Sequence, residues 1–552
     1  MKRDDLPTAP GNLDASAPAA PVDAPRMALG AWSFYFLAKL MLVWRDLIGF
    51  HALENLGFAA FLLLPLRSPR LRRARKLAAV PLGIALLYYD SWLPPLARVL
   101  SQAALVSSFS SNYLLDLAGR FLHWPTLAAL GVAFLLYLIA DRYLRVGVLV
   151  LAALLVQALM PALQRKDGTG GSEAVVASAS SPAALGNAGN AGNPDELLQA
   201  FHAAESQRRV NFPRAADDKP FDIIILQICS LSWDDLQMAG LDKHPLWSSF
   251  DFLFTHFNSA ASYSGPAAIR INRATCGQQS HQALYQAAPE GCYLMPALKQ
   301  AGFEPNFAMN HDGRFDEFLA QVKAQGLSAP LMPINGLPAP LRGFDNLPIY
   351  DDYGVLARWF DQRRQSEAQR VALFYNTISL HDGNKVVSGP GANQGSRDSY
   401  KPRLEKLLND LNAFMDQIRA SGRRAVVVVV PEHGAALRGD KFQIAGLREI
   451  PTPLVTRVPV GIRVIGPDAQ RRDGAARIDE SVSYLAMSHI LAGLVRNSPY
   501  GSNGFAATDY LESLPSTPFV AENEASAMIE RGGRYLMKQG AGEWKEYGRV
   551  EP

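Results

Sequence analysis

Apolar positions are spread unevenly along the chain. Up to about residue 163 they form long runs; beyond residue 220 they form short runs that alternate with stretches of helical period. Five early runs predict membrane helices: Ala31–Leu47, Leu53–Leu66, Leu77–Leu93, Trp124–Ile139 and Val146–Leu163. The first carries Lys39 and Arg45, and the second is short. A core helix of a soluble protein competes as an explanation for any single run, but five within about 135 residues favour spans.

Basic loops set the orientation. The stretch RSPRLRRARK, Arg67–Lys76, is strongly cationic and should stay in the cytoplasm. Arg142 and Arg145 fall inside by alternation, and Lys2, Arg3 and Arg26 place the N-terminus inside. Five crossings then put everything after Leu163 outside the cytoplasm. With no short basic leader and no clear cleavage site, the first run reads as an uncleaved anchor. The stretch Ala97–Phe121 mixes apolar and polar residues at roughly helical spacing. It reads either as a helix lying in the lipid interface or as a solvent-exposed connector.

The expected organisation is a cytoplasmic segment, 1–29, a five-helix membrane domain, 30–164, a flexible linker, 165–219, and an external α/β domain, 220–552. The linker expectation rests on Gly, Ala, Ser and Asn, which bury little. In the last segment, strands are predicted at Asp222–Ile228, Phe252–His256, Glu304–Met309, Val371–Ile378, Ala425–Val430 and Gly461–Ile465. Helix-like stretches at Met295–Gln300, Phe315–Gln325, Val355–Glu367 and Pro402–Ala420 lie between them. Alternating strand and helix, with the doubly apolar run Val426–Val430, predicts a sandwich around a central, largely parallel sheet.

Composition adds scale and compartment. At 552 residues the chain exceeds one ordinary domain, and a net charge of +3 gives no case for nucleic acid. All three cysteines fall outside the cytoplasm, where disulfides persist. Cys276 and Cys292, sixteen apart in a loop-rich stretch, are expected to pair. That leaves Cys229 as the odd thiol.

Candidate chemistry sits where parallel strands end. Cys229 follows one strand, His381 another, and Glu432-His433-Gly434 a third. Any one of these is ordinary in a loop; together they are metal-competent. Cys229 reads as a zinc thiolate, with a buried structural thiol as the alternative and a cysteine nucleophile as the weaker one. Ser264, in ASYSGPAAIR, precedes a helical run. It reads either as a helix cap or as a hydroxyl nucleophile at a helix N-terminus that favours a phosphate.

This order of motifs resembles the alkaline phosphatase superfamily, in its membrane-anchored phosphotransferase branch, which holds lipid A phosphoethanolamine transferases and lipoteichoic acid synthases. LQICSLS has Cys229 where that branch usually keeps a glutamate. PEHG replaces the usual Asp-His-Gly, and Ser264 the usual threonine. Those departures are similar to the cellulose phosphoethanolamine transferases of bacterial cellulose secretion systems.

The resemblance implies a multi-pass protein of the bacterial inner membrane with a periplasmic catalytic domain. It implies zinc held by Cys229, Glu432, His433 and the Ser264 oxygen. It implies that Ser264 is the nucleophile, that His381 assists beside the transferring group, and that Tyr263 and Arg448 lie close to the phosphoryl group. From the residues alone, Arg448 reads as a solvated loop arginine. The implied donor is phosphatidylethanolamine and the implied acceptor the glucose C6 hydroxyl of cellulose, with cellulose synthase subunits as partners. A transferase with another acceptor such as lipid A, a phosphodiesterase or sulfatase, and a non-catalytic scaffold are the other readings.

Overall fold

The structure, a computed structural model, describes residues 29–45, 47–91, 93, 109–121, 124–164, 192–216, 219–540 and 542–550. The N-terminal segment up to residue 28, with Lys2, Arg3 and Arg26, lies outside the described residues, as do linker residues 165–191 and residues 97–108 of the Ala97–Phe121 stretch. The chain divides into two compact units, one of residues 1–91 and 128–171, the other of residues 92–127 and 172–552.

In the first unit the apolar runs are helical, with shifted bounds. Helices span Trp32–Trp44, Ala52–Leu63, Pro69–Asp90, Trp124–Tyr143 and Val146–Gln164. Of the described helices, only Trp124–Tyr143 is long and apolar enough by itself to cross a membrane; Trp32–Trp44, Ala52–Leu63 and Val146–Leu159 are apolar but shorter. The cationic stretch is not a loop: most of it forms the first turns of Pro69–Asp90. The charge in the first run has a partner. Lys39 Nζ lies 2.5 Å from Asp90 Oδ2 and donates to Asn55 Oδ1 at 2.8 Å. A buried ammonium is costly unless paired, and this one is.

The larger unit is an α/β sandwich. Its central strands are β1 (Asp222–Ile228), β2 (Phe252–Asn258), β3 (Glu304–Met309), β4 (Val371–Thr377), β5 (Ala425–Pro431), β6 (Arg457–Ile465) and β7 (Ala476–Ile478). They lie in the order β7-β2-β6-β5-β1-β4-β3. Only β6 is antiparallel to its neighbours, so the sheet is largely parallel, as expected. Ile225 sits in register with Phe374 on one side and Val428 on the other.

The valine run explains the layering. Val427 and Val429 face a core shared with helices Asp352–Gln365 and Tyr400–Ala420, while Val426, Val428 and Val430 face Ser264–Asn272 and Tyr484–Arg496. All five are fully buried, each contributing about 1.5–3 kcal/mol relative to exposure. At the start of β1, Asp222 takes a bidentate bond from the buried Arg363 guanidinium (2.9–3.1 Å), which pins the edge opposite the site.

Three differences from expectation matter. The second half of the expected linker is structured: Pro194–Glu205 is a helix, capped by Asn193 through Asp195 N. Its Phe201 is buried against Val520 and Ile529. Phe315–Gln325 is not one helix. Asp316 and Glu317 adopt positive φ, 51° and 52°, so a short turn precedes the helix Phe318–Ala324. Lastly, an unexpected antiparallel meander follows, β8 (Val520–Asn523), β9 (Ser526–Arg531), β10 (Arg534–Gln539) and β11 (Lys545–Gly548). Cys276 and Cys292 are joined by a disulfide.

Candidate active site

Because β1, β4 and β5 are adjacent and parallel, their C-terminal ends open on the same edge. Backbone bonds continue the sheet past the strands: Cys229 N donates to Thr377 O (2.9 Å), Glu432 N to Ile228 O (2.8 Å) and Leu231 N to His433 O (2.7 Å). These bonds bring Cys229, Glu432 and His433 together, all three fully buried. Gly434 is the residue this packing requires. A Cβ there would lie 2.6 Å from Ser232 Oγ and 2.9 Å from Asp235 Oδ2. Asp235, which also accepts from Ala435 N at 2.7 Å, is part of the capping box that starts helix Trp233–Ala239.

Ser264 is not a helix cap. It is the first residue of helix Ser264–Asn272, and no side chain caps that helix. Its hydroxyl turns instead to the cluster: Oγ lies 3.3 Å from Cys229 Sγ and 3.2 Å from His433 Nε2. Cys229 Sγ is 4.0 Å from His433 Nε2, which is 3.9 Å from Glu432 Oε2.

Hydrogen bonds orient the side chains of the cluster. His433 Nδ1 lies 2.9 Å from Gly434 O, an acceptor, and 3.2 Å from Arg448 Nη1, a donor; ligation of a cation through Nε2 takes the tautomer with the proton on Nδ1 toward Gly434 O. Gly313 N donates to His311 Nδ1 (3.2 Å), so His311 Nε2–H donates to Asn376 Oδ1 (2.8 Å). That orients the Asn376 amide to donate to Glu432 Oε1 at 2.7 Å. Glu432 Oε2 is then a buried oxygen with no hydrogen-bond partner.

Burial dominates the electrostatics. It pushes the Cys229 thiol up to about 12 and the Glu432 carboxyl up to about 7, and holds the His433 imidazole well below its ordinary value. Each group is thus driven to its neutral form by lack of solvation; a divalent cation reverses that preference for the thiol and the carboxyl and reinforces it for the imidazole. The donor set fits zinc: thiolate, imidazole nitrogen, carboxylate oxygen and a hydroxyl oxygen. Tetrahedral zinc at its usual bond lengths needs donors about 3.3–3.6 Å apart. The four separations given above, 3.2–4.0 Å, bracket that requirement, the Cys229, Glu432 and His433 ligand atoms all lie within 4.8 Å of one another, and the orphaned Glu432 oxygen is the atom a cation would satisfy.

Arg448 is not a solvated loop arginine. Its guanidinium lies 5.5 Å from the Tyr263 ring centroid, with Nη1 3.4 Å from both Ser230 Oγ and Gly434 O. Nη1 is also 3.2 Å from His433 Nδ1. Its Nε is buried without a partner. Its backbone is tied down by Ser262 Oγ (2.5 Å) and by Asn523 Nδ2 (3.1 Å) from the meander. The Tyr263 hydroxyl donates to Glu449 Oε1 at 2.5 Å.

His381 follows the neighbouring strand and makes no hydrogen bond to the cluster among the described residues. Its Nδ1 lies 2.6 Å from Asp382 O, so Nδ1 carries the proton and Nε2 is the acceptor. Burial holds its imidazole down to about 4, with the Arg448 guanidinium acting in the same direction. The ring is therefore neutral, with its bare lone pair on Nε2.

Sequence reasoning missed Asn376, His311, Glu449 and Asn523. Asn376 left a faint signal, an amide in the otherwise apolar VALFYNT strand. The others act from loops or from the meander, and no local pattern marks them.

Fold and site together define a class: an α/β domain with a half-buried serine hydroxyl set against a three-residue metal-competent group. A family model of the BcsG C-terminal domain of cellulose biosynthesis matches residues 178–544, and one of the BcsG N-terminal domain matches residues 32–159. The chain belongs to this family, that of cellulose biosynthesis protein BcsG. It is 41% identical over 542 residues to cellulose biosynthesis protein BcsG of Salmonella typhimurium, covering 94% of this chain and 96% of that protein. The Escherichia coli protein of that name is 40% identical over 546 residues, with the same coverage. Among solved structures, a Vibrio parahaemolyticus protein in the alkaline phosphatase superfamily is similar at a TM-score of 0.47 and 13% identity, over 64% of this chain and 88% of that one.

Proposed function

We propose that the chain transfers phosphoethanolamine from phosphatidylethanolamine to glucose C6 hydroxyls of secreted cellulose, through a covalent intermediate on Ser264. The observation that carries this is the meeting of the Ser264 hydroxyl, at a helix N-terminus, with Cys229, Glu432 and His433. The relatives' name, cellulose biosynthesis protein, supports the acceptor.

Cys229, Glu432, His433 and the Ser264 oxygen would hold zinc. When bound, zinc supplies Lewis-acid stabilisation of anionic oxygen and lowers the cost of a serine oxyanion. In the first half-reaction the Ser264 Oγ–phosphorus bond forms and the glycerol oxygen–phosphorus bond breaks. Diacylglycerol leaves with the proton that the Ser264 hydroxyl gives up. The Arg448 guanidinium, held between Tyr263 and Ser230, offsets charge on the non-bridging oxygens. In the second half-reaction the acceptor hydroxyl attacks phosphorus, His381 Nε2 takes its proton, the Ser264 Oγ–phosphorus bond breaks, and the proton passes on to Ser264 Oγ to restore the hydroxyl. The protonation of Nδ1 toward Asp382 O leaves Nε2 as the only ring position able to do this.

The donor is confined to a bilayer, which gives the anchor its purpose. Five spans with the N-terminus inside would hold the catalytic domain at the periplasmic face of the inner membrane, beside cellulose synthase subunits. Tethering raises the effective concentration of lipid at the site.

The test uses the full chain in detergent with phosphatidylethanolamine and a cello-oligosaccharide. The reading expects diacylglycerol release and a phosphoethanolamine-bearing oligosaccharide, both absent from Ser264→Ala. Diacylglycerol release without modified sugar would move the acceptor elsewhere. Equal turnover by Ser264→Ala would end the nucleophile assignment.

A further inference from the structure

Helix Ser111–Phe121 belongs to the larger unit, although in the sequence it lies between the third and fourth apolar runs. Its first residues reach the turn that carries His381. Ser110 N donates to Phe344 O at 2.9 Å. The Phe109 ring meets Phe344 edge-on at 5.2 Å, and Tyr113 lies 6.0 Å from Phe344. Phe344 in turn is 5.2 Å from the His381 ring, with Phe315 packed against both.

A second contact bypasses Phe344. Tyr113 Oη donates to Asp382 Oδ2 at 3.2 Å, across 269 residues of chain. Asp382 is also the residue whose carbonyl takes the His381 Nδ1 proton. The same peptide is thus gripped by Tyr113 through its side chain and by His381 through its backbone. Gly383 shows how tight the grip is. It has φ of +85°, and a Cβ there would lie 2.6 Å from Phe344 Cβ and 2.9 Å from Tyr113 Cε2. The two-residue strands Leu341–Arg342 and Lys385–Val386, which flank Phe344 and the turn, are paired to one another.

We infer that Tyr113 is a positioning residue for His381: the segment between two membrane runs orients the imidazole by holding Asp382. This rests on the transferase reading above. Asp382 fixes the tautomer of the ring, and Tyr113 fixes Asp382. The Nε2 lone pair is then aimed only when helix Ser111–Phe121 is seated.

The test is a double-mutant cycle in the full chain, with Tyr113→Phe keeping the ring and deleting only the hydroxyl. Tyr113→Phe is expected to lower kcat roughly three- to tenfold, the effect of one hydrogen bond, with KM for donor lipid unchanged. In a His381→Ala background the same change should cost nothing further, because its effect passes through the ring. A merely structural role would lower both backgrounds alike, and that additivity would overturn the inference, as would full kcat in Tyr113→Phe. A second readout does not need turnover. In ring-labelled histidine NMR of the full chain, the His381 signal, assigned by its loss in His381→Ala, should lose its pure Nδ1–H character in Tyr113→Phe. An unchanged His381 signal would overturn the inference. If the wild type transfers nothing, the function reading fails and this NMR comparison still decides the positioning role.

Discussion

The two halves of the site are built differently. The serine half, with Cys229, Ser264, Glu432 and His433, hangs on adjacent strand ends and one helix start, tied by backbone bonds that extend the central sheet. The histidine half is a turn, His381–Gly383, held from outside by Phe315, Phe344 and Tyr113. The first is rigid because the sheet is; the second is rigid only while distant segments press on it. Groups that share a cation need fixed donor separations, whereas a proton acceptor can be set by what covers it.

That contrast breaks most visibly at Ser264. Ser264→Ala should abolish transfer outright while leaving Cys229, Glu432 and His433 in place, and measured diacylglycerol release is the check. His381→Ala should cost ~10²–10⁴-fold in transfer and leave zinc content unchanged by metal analysis. Lost zinc in that variant would mean the two halves are one. Asn376→Leu touches neither reacting group, yet it removes the donor to Glu432 Oε1. Zinc affinity should fall about 10–100-fold, read by competition with a chelator. The smallest effect on chemistry belongs to the Cys276–Cys292 bridge, which closes a loop of sixteen residues away from both halves. Opening it by Cys292→Ser should cost about 3 kcal/mol of stability in chemical denaturation, with turnover at low temperature preserved.

The pH response sharpens the comparison further. His381 sits at about 4, below its ordinary 6.5, because it is buried and faces Arg448. The unfolded chain therefore binds a proton there that the fold does not. The stability this ring contributes is complete above pH 6.5 and is lost as the pH falls through that range to about 4. An NMR titration of the ring should give a midpoint near 4, and a midpoint near 6.5 would mean that the turn is open to water.

Much of the serine half was legible in the sequence because it rests on short-range signals: apolar runs that stop at a thiol, or at Glu-His-Gly. Val426–Val430 fixed the layer order in the same way, since only a central strand is apolar on both faces. Arg448 was misread because its surroundings are made by residues far away, Tyr263, Ser262 and Asn523. The helix Pro194–Glu205 was hidden by a Gly- and Ala-rich approach, and only its buried Phe201 betrays it. The clasp on His381 had no local trace at all. Tyr113 reads as part of an amphipathic stretch, and its contact with Asp382 exists only in the fold.

The central claim is covalent, so its most direct measurement is the mass of the peptide containing Ser264, from full chain incubated with phosphatidylethanolamine vesicles and quenched before acceptor is added. The account predicts a gain equal to one phosphoethanolamine group, located on Ser264 by fragmentation, and discharged when cello-oligosaccharide is supplied. An unmodified Ser264 in a preparation that holds zinc and releases diacylglycerol would contradict it.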